Sequence, residues 1–393
     1  MPEPRRPVLQ SRCVRVGLVL LAITLTIGVG VLVRSYRFYS QIIDARLASG
    51  YLTSRPGLYA APRVLQTGQK LSREKLVGVL RRAGYLESKA SDVWSGSFTV
   101  SESTIDIRPG RASKKEYELV RVSFSGDQIA ELRGDGIALD SFTLEPEILS
   151  NDLSSKSAQR EILSYDEIPP VMVHAILAIE DRRFFEHSGV DLKGLGRALL
   201  RNAVDEQVGQ GGSTITQQLV KNTYLSPEKT VQRKYAEAML AVALERRLSK
   251  NDIFALYCNE IYLGQRGAVA VRGVQEAARI FFGKELKDLT LSEAATLAGM
   301  IQSPAHYSPV RHADEARARR NVVLAAMQQN GWVTAEQSAT ANAEPVVVAP
   351  AAVDNSLAPY FVDYVNRLAE SQFETSGATQ RIYTTIDLEL QQA

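Results

Sequence analysis

The feature that most restricts this chain is VGLVLLAITLTIGVGVLV, an uncharged run of 18 residues from Val16 to Val33. A helix of that length spans about 27 Å, close to the ~30 Å hydrocarbon core of a bilayer. Arg12 and Arg15 precede the run, and Arg34 and Arg37 follow it, each with a stem long enough to carry its charge to an interface. No small-x-small cleavage site follows, so an uncleaved signal anchor is expected in preference to a removed leader. A buried core helix is the alternative reading. The default topology puts tail residues 1–15 in the cytoplasm, 16–33 across the membrane and the bulk outside. The flanking charges differ too little for the positive-inside rule: Arg5, Arg6, Arg12 and Arg15 against Glu3, then Arg34, Arg37 and Arg46 against Asp44. Cys13 and Cys258 then lie on opposite sides and cannot pair.

The rest of the 393 residues reads as an ordinary globular protein of two or three domains. Lys plus Arg number 46 against 44 Asp plus Glu, which gives no argument for nucleic-acid binding. His174, His187, His306 and His312 show no zinc-ligand spacing with one another or with the two cysteines. Tyr36–Ser54 is expected to be helical, ended by Arg55-Pro56-Gly57. Over 62–152 short alternating strands surround one helix, Ser72 to Ala83, capped by Ser72; the strands are expected at 96–100, 104–107, 117–125 and 128–133. This small α+β module carries no cluster of catalytic residue types, so binding or spacing is its expected role. From Pro169 the pattern turns helical: a first helix runs to Ile179, and periods recur at 194–204, 213–223, 229–248, 250–258, 271–281, 291–301 and 313–329. That second domain covers about 160–332. A looser Ala/Val/Pro segment follows, then a helix over 357–373 and a strand over 380–386, together the 333–393 region. The fold class is α+β multidomain: one transmembrane helix, a small α+β module and a mainly helical domain.

Three stretches of the helical domain carry residue types with chemistry. Glu180-Asp181-Arg182-Arg183-Phe184-Phe185-Glu186-His187 lies where an apolar helix meets the turn Ser188-Gly189. A carboxylate there suits a raised pKa and general-base work, though on the run alone a surface salt-bridge cluster is the favoured reading. QVGQGGSTITQQ, Gln207 to Gln218, is a glycine-rich loop feeding a helix whose start offers Ser213, Thr214 and free N–H groups. It lacks the G-K-[ST] of a Walker loop. Arg233, Lys234 and Glu237 form R-K-x-x-E, in isolation a solvated helical ion pair. Lys250, Ile253 and Tyr257 share a face, with Asn259 two residues on.

In order and spacing, EDRRFFEHSGVD, GGSTITQQLVKN, RKYAE, K-x-x-I-x-x-x-Y-x-N-E-I-Y-L-G and QSPAHYSP…RR-N-V-V-L resemble the peptidoglycan glycosyltransferase domain. That family occurs in class A penicillin-binding proteins and monofunctional transglycosylases. The anchor and small module resemble those of its 1B branch, where the module is called UB2H. One departure stands in the fourth motif, Ala255-Leu256 in place of Leu-Glu, from which loss of a supporting contact is expected. The resemblance implies a lysozyme-like helical fold and polymerisation of lipid II into β-1,4 glycan with release of undecaprenyl diphosphate. It implies Glu180 as the base and Glu237 as a second essential carboxylate, which orients cations or holds a divalent Mg or Mn beside the diphosphate. It implies Lys221, Arg233 and Lys234 on the diphosphate, and Ser213, Thr214, Gln218, Asp181, Phe184, His187, Tyr257 and Asn259 around the substrate. Phe184, Phe185 or the 192–200 stretch are candidates to dip into lipid headgroups, a buried role being the alternative. The implied partners are the growing glycan, the bacterial inner membrane with the catalytic domain on its periplasmic face, and an outer-membrane lipoprotein activator docking on the 62–152 module.

GATQRIYTTIDLELQQA resembles the entry into a penicillin-binding transpeptidase domain. The S-x-x-K matches at Ser72 and Ser226 fall elsewhere and no K-T-G follows, so glycosyl transfer without transpeptidation is expected. A lysozyme-like hydrolase and a non-catalytic membrane scaffold are the rival readings.

Overall fold

The computed structural model describes residues 12–48, 57–87, 96–110, 117–150, 162–196, 212–224, 230–266, 269–350 and 381–392, with single positions between 358 and 368. Arg5, Arg6, the Arg55-Pro56 break, the stretch 207–211, Ser226 and most of the helices expected at 194–204 and 357–373 lie outside the described residues.

The apolar run forms the first part of one long helix, α1, Arg12–Ala48, so the anchor and the helix expected from Tyr36 are continuous. None of its membrane-length apolar window is buried by protein, which is the opposite of a core helix. Past the apolar run, α1 docks on the helical domain. Ile43 is fully buried there, and Arg247 donates to both carboxylate oxygens of Asp44 and to Ser40. Arg246 lies over the Tyr36 ring at 5.1 Å.

In the small module, strands β1 (Gly57–Tyr59), β2 (Val64–Gln66), β3 (Tyr85–Glu87), β4 (Gly96–Val100), β5 (Thr104–Pro109), β6 (Val120–Ser125), β7 (Gln128–Gly134), β8 (Ile137–Ala138), β9 (Ser141–Thr143) and β10 (Ile148–Ser150) surround α2, Arg73–Arg82. Six strands form one sheet in the order β3-β4-β5-β6-β7-β8, antiparallel except for β3 with β4. Ser72 caps α2 by accepting from Lys75 N, and the helix lays Leu76, Val79 and Leu80 on the sheet. The alternation in β5 sends Ile105 and Ile107 to the same core, with Phe98 opposite Ile107 and Val122 opposite Leu132. Gly96 is required, because a Cβ there would stand 2.4 Å from the Tyr85 ring. The sequence pattern finds β4 to β7 but not the shorter β1, β2, β3, β9 and β10. These are too brief for a period-2 signal.

The helical domain contains α3 (Pro170–Glu180), α4 (Ile215–Tyr224), α5 (Val231–Glu245), α6 (Lys250–Glu260), the hairpin β11 (Tyr262–Arg266) with β12 (Val269–Arg272), α7 (Val274–Ala277), α8 (Leu291–Met300), α9 (Ala313–Gln329) and α10 (Ala335–Ala343). The period expected at 271–281 is a short helix followed by π-helical turns over Ala278–Phe282, and α10 occupies residues expected to begin a loose segment. One apolar core joins these helices and admits Leu86 from the module. Beside it, β13 (Arg381–Tyr383) pairs in parallel with β1, which also pairs with β10, so residues more than 300 apart close a three-stranded sheet.

Candidate active site

The apolar residues of α3 explain where its last residue sits. Met172, Val173, Ala175, Ile176 and Leu177 are buried, which drives the helix into the core and leaves Glu180 at its C-terminal end. Gln218 on α4 donates from Nε2 to Glu180 Oε2 at 2.7 Å, and the Tyr257 hydroxyl on α6 donates to Gln218 Oε1 at 3.2 Å. Burial raises the Glu180 pKa above the ordinary carboxylate value, and the neighbouring Asp181 adds to the rise. The Gln218 hydrogen bond and the charges of Arg319 and Lys221 act the other way. The negative end of the α3 dipole also disfavours its anion. Burial, with Glu180 beside it, pushes the Tyr257 phenol well up, so it remains a protonated donor to the amide. A three-residue relay from three helices therefore fixes the carboxylate.

The start of α4 is held from the other side. Asp181 Oδ2 accepts from Ile215 N at 3.1 Å and lies 2.9 Å from His187 Nε2. Thr214 accepts from Gln217 N and donates to the Gly189 carbonyl at 2.7 Å. Gly189 has φ of +94°, and a Cβ there would meet the backbone of Ala241 and Val242 on α5 at 2.8 Å; only glycine fits. The loop after α3 is thereby pinned between α4 and α5.

From α5 comes a cationic cluster. Glu237 is 2% exposed, with Lys234 Nζ at 2.7 Å from one oxygen and Arg233 Nε at 3.2 Å from the other. Lys234 also donates to Ser213 Oγ at 2.7 Å. The solvated pair that R-K-x-x-E suggests in isolation is thus corrected: its carboxylate is inside, and it orders two cations at the mouth of α4. Ser213, Lys234 and Glu237 gather at the start of α4, and Gln218, in the first turn of the same helix, holds Glu180.

Other expected contacts do not reach that space. Asn259 is 3% exposed; it donates to the Leu163 and Ala255 carbonyls and accepts from Leu163 N, so its amide is spent on tying down the chain before α3. Phe184 is fully buried against Phe185, Phe254 and His187 and cannot enter a headgroup layer. Phe185, Leu192 and Leu195 are exposed as that idea requires. Asp181, His187 and Thr214 bind one another's neighbourhood and shape the site without facing it. Arg319 is a missed residue: its charge acts on Glu180 and its guanidinium lies 5.6 Å from the Tyr307 ring. The signal was present in the RR-N-V-V-L run. Its neighbour Arg320 is instead fully buried, donating to Ser292 and to the carbonyls of Asn342 and Glu344.

A divalent metal at Glu237 does not fit this donor set. Both carboxylate oxygens already face cations, Lys234 at 2.7 Å and Arg233 at 3.2 Å, so a dication there would meet two like charges. Arranged in this way, α4 holds a base through Gln218 and meets the ordered cations of α5 at its start.

Residues 147–328 match the family described as Transglycosylase, and residues 64–136 match the one described as UvrB interaction domain. Penicillin-binding protein 1B of Vibrio cholerae serotype O1 is 32% identical over 384 residues, which is 95% of this chain and 48% of that protein. Penicillin-binding protein 1B of Escherichia coli K12 is 33% identical over 382 residues, covering 94% and 45%. Penicillin-binding protein 1A of the same organism is 43% identical over 237 residues, covering 59% and 27%. The chain spans about half the length of the 1B relatives it matches.

Proposed function

Since residues 147–328 are a transglycosylase domain, in a chain homologous along about 95% of its length to class A penicillin-binding proteins, we propose that this protein polymerises lipid II into peptidoglycan glycan strands. The observation that carries the reading is Glu180, a carboxylate with a raised pKa, held by Gln218 on α4 within reach of the charges of Lys221 and Arg319, while the start of the same helix meets the ordered cations of α5. Glu180 removes the proton from the 4-hydroxyl of the lipid II GlcNAc, and that oxygen attacks C1 of the MurNAc at the reducing end of the growing strand. The bond to the diphosphate breaks on the opposite face, so the centre inverts and a β-1,4 link forms. A sugar hydroxyl is a poor nucleophile, and a positioned base is worth about 10²–10⁴-fold.

Charge accumulates on the departing undecaprenyl diphosphate. Lys234 and Arg233, ordered by Glu237, and the exposed Lys221 on α4 receive it, with the Ser213 hydroxyl supplying a further donor. The long apolar helix anchors the protein in the membrane that holds its substrate. In this reading the tail is cytoplasmic, the catalytic domain faces the periplasm, and the 62–152 module receives an outer-membrane lipoprotein activator.

The test is polymerisation of labelled lipid II in detergent by this chain and by Glu180→Gln. Polymer from the first and none from the second supports transfer with Glu180 as base. Equal polymer from both overturns the assigned base. Release of fragments from finished peptidoglycan without lipid II would point to a hydrolase.

A further inference from the structure

Behind α4 lies a charged network that the transfer steps above leave unused. Thr216, fully buried, donates from Oγ1 to Glu245 Oε1 at 2.5 Å. Lys250 Nζ lies 2.8 Å from each oxygen of the same carboxylate. The Glu245 side chain is 4% exposed. The Lys250 ammonium also stands 4.2 Å from the centroid of the buried Phe184 ring. One pair of charges therefore touches four segments: α4 through Thr216, the last turn of α5 through Glu245, the first turn of α6 through Lys250, and the loop after α3 through Phe184.

Each of those segments delivers a group to the site. Gln218 stands two residues beyond Thr216 on α4; Arg233, Lys234 and Glu237 lie on α5; Tyr257 lies on α6; Asp181 follows Glu180 into the Phe184 loop. Desolvation offsets the attraction of such a pair, so what distinguishes this one is the four segments it ties together. We propose that Lys250 and Glu245 are positioning residues for glycosyl transfer, which with Thr216 fix α4 so that Gln218 meets Glu180. The proposal rests on the transferase reading.

A merely structural pair would lower the amount of folded enzyme and leave the pH profile of the remainder alone. A positioning pair changes the profile, because the Gln218 hydrogen bond holds the Glu180 carboxyl down against burial. The other charged and titratable groups around Glu180 are Lys221 on α4, Arg319 on α9, Tyr257 on α6 and Asp181 beside it; none of them is altered by the substitutions.

The experiment measures kcat and KM for labelled lipid II against pH, with thermal melting in parallel, on the full chain in detergent. Lys250→Met is expected to lower kcat by about 10–100-fold, as a small misplacement of a reacting group does, with KM changed less than about twofold. It moves the acid limb of kcat to higher pH, as Gln218→Leu does, and the double variant loses little more than either single one. Lys250→Arg restores much of the rate. Should Lys250→Met fail to fold, Thr216→Val removes only the hydroxyl and is expected to shift the limb in the same direction by less. A wild-type limb in the variants that fold, or additive losses in the double variant, overturns the proposal. Wild-type polymer with none from Glu180→Gln keeps the transferase reading standing whichever way these variants fall; no polymer from the wild type removes both.

Discussion

Among the described residues, the six-stranded module keeps almost only apolar side chains from water; Ser97 and, at its base, Glu147 are the exceptions. The helical domain buries Asp181, Thr214, Thr216, Gln217, Glu237, Asn259 and Arg320. A buried polar group without a partner costs about 1–3 kcal/mol, so each of these had to be matched by others. On the sheet the ion pairs stay outside, as Arg121 with Asp106 does at 2.7 Å, and Glu147 with Arg82 is the module's buried pair; in the helical domain the buried carboxylates Glu237 and Glu245 both hold cations beside α4. Polar burial of that density is a sign of chemistry, because only an enclosed array shifts a carboxylate and orders cations at once. The two regions touch through Leu86, which enters the helical domain's core, and through Arg81, 3.4 Å from Glu167, while the module keeps a separate core of its own.

The sharpest way to break this contrast is Glu180→Gln. Polymerisation is expected to fall by about 10²–10⁴-fold without loss of fold. The folded pKa of Glu180 stands above its unfolded value, so the native state holds this proton more tightly and the group costs stability as pH rises through that window. The Gln variant should therefore melt at or above the wild-type temperature at neutral pH, with the difference vanishing in acid. A variant that melts lower at neutral pH would mean the site carries no such strain.

Next in size is Phe98→Ala, which empties a fully buried position of the module. It should cost the module about 3–5 kcal/mol and lower an early melting transition while polymerisation in detergent persists. Activity lost in step with that transition would show that the two regions fold as one. A smaller effect is expected from Gln218→Leu, which removes the hydrogen bond that lowers the Glu180 pKa. The acid limb of kcat should move to higher pH, and Tyr257→Phe should move it the same way by less. A limb that moves down in either variant contradicts the relay. Least of all, Arg121→Ala on the exposed face of the sheet should leave both melting and polymerisation unchanged.

Local patterns made much of this legible. The Ser72 cap follows from residue type, and the helix α3 ending at Glu180 and the alternation in β4 to β7 follow from periodicities of 3.6 and 2, which a window of residues reveals. The site was legible as a set of motifs, yet their roles separated only in three dimensions. Asn259 and Gln218 are both amides near the right motifs, but one closes on the backbone of Leu163 and the other on Glu180. Phe184 and Phe185 are adjacent in a loop; one is fully buried and the other 44% exposed. No rule of spacing separates them.

By itself the sequence determined the anchor, the change from strand to helix periods and the positions of the charged residues, because each depends on residues within a turn or two of one another. The tertiary structure alone decided which charges went inside. Glu237 and Glu245 lie on the same helix, and nothing local distinguishes them from the solvated pairs of an exposed face. Their burial follows from where α4, α5, α6 and the Phe184 loop cross, and from the matching of partners that the crossing forces. It likewise set β13 beside β1 across the length of the chain, a pairing whose energy comes from contacts that no neighbouring residue can report.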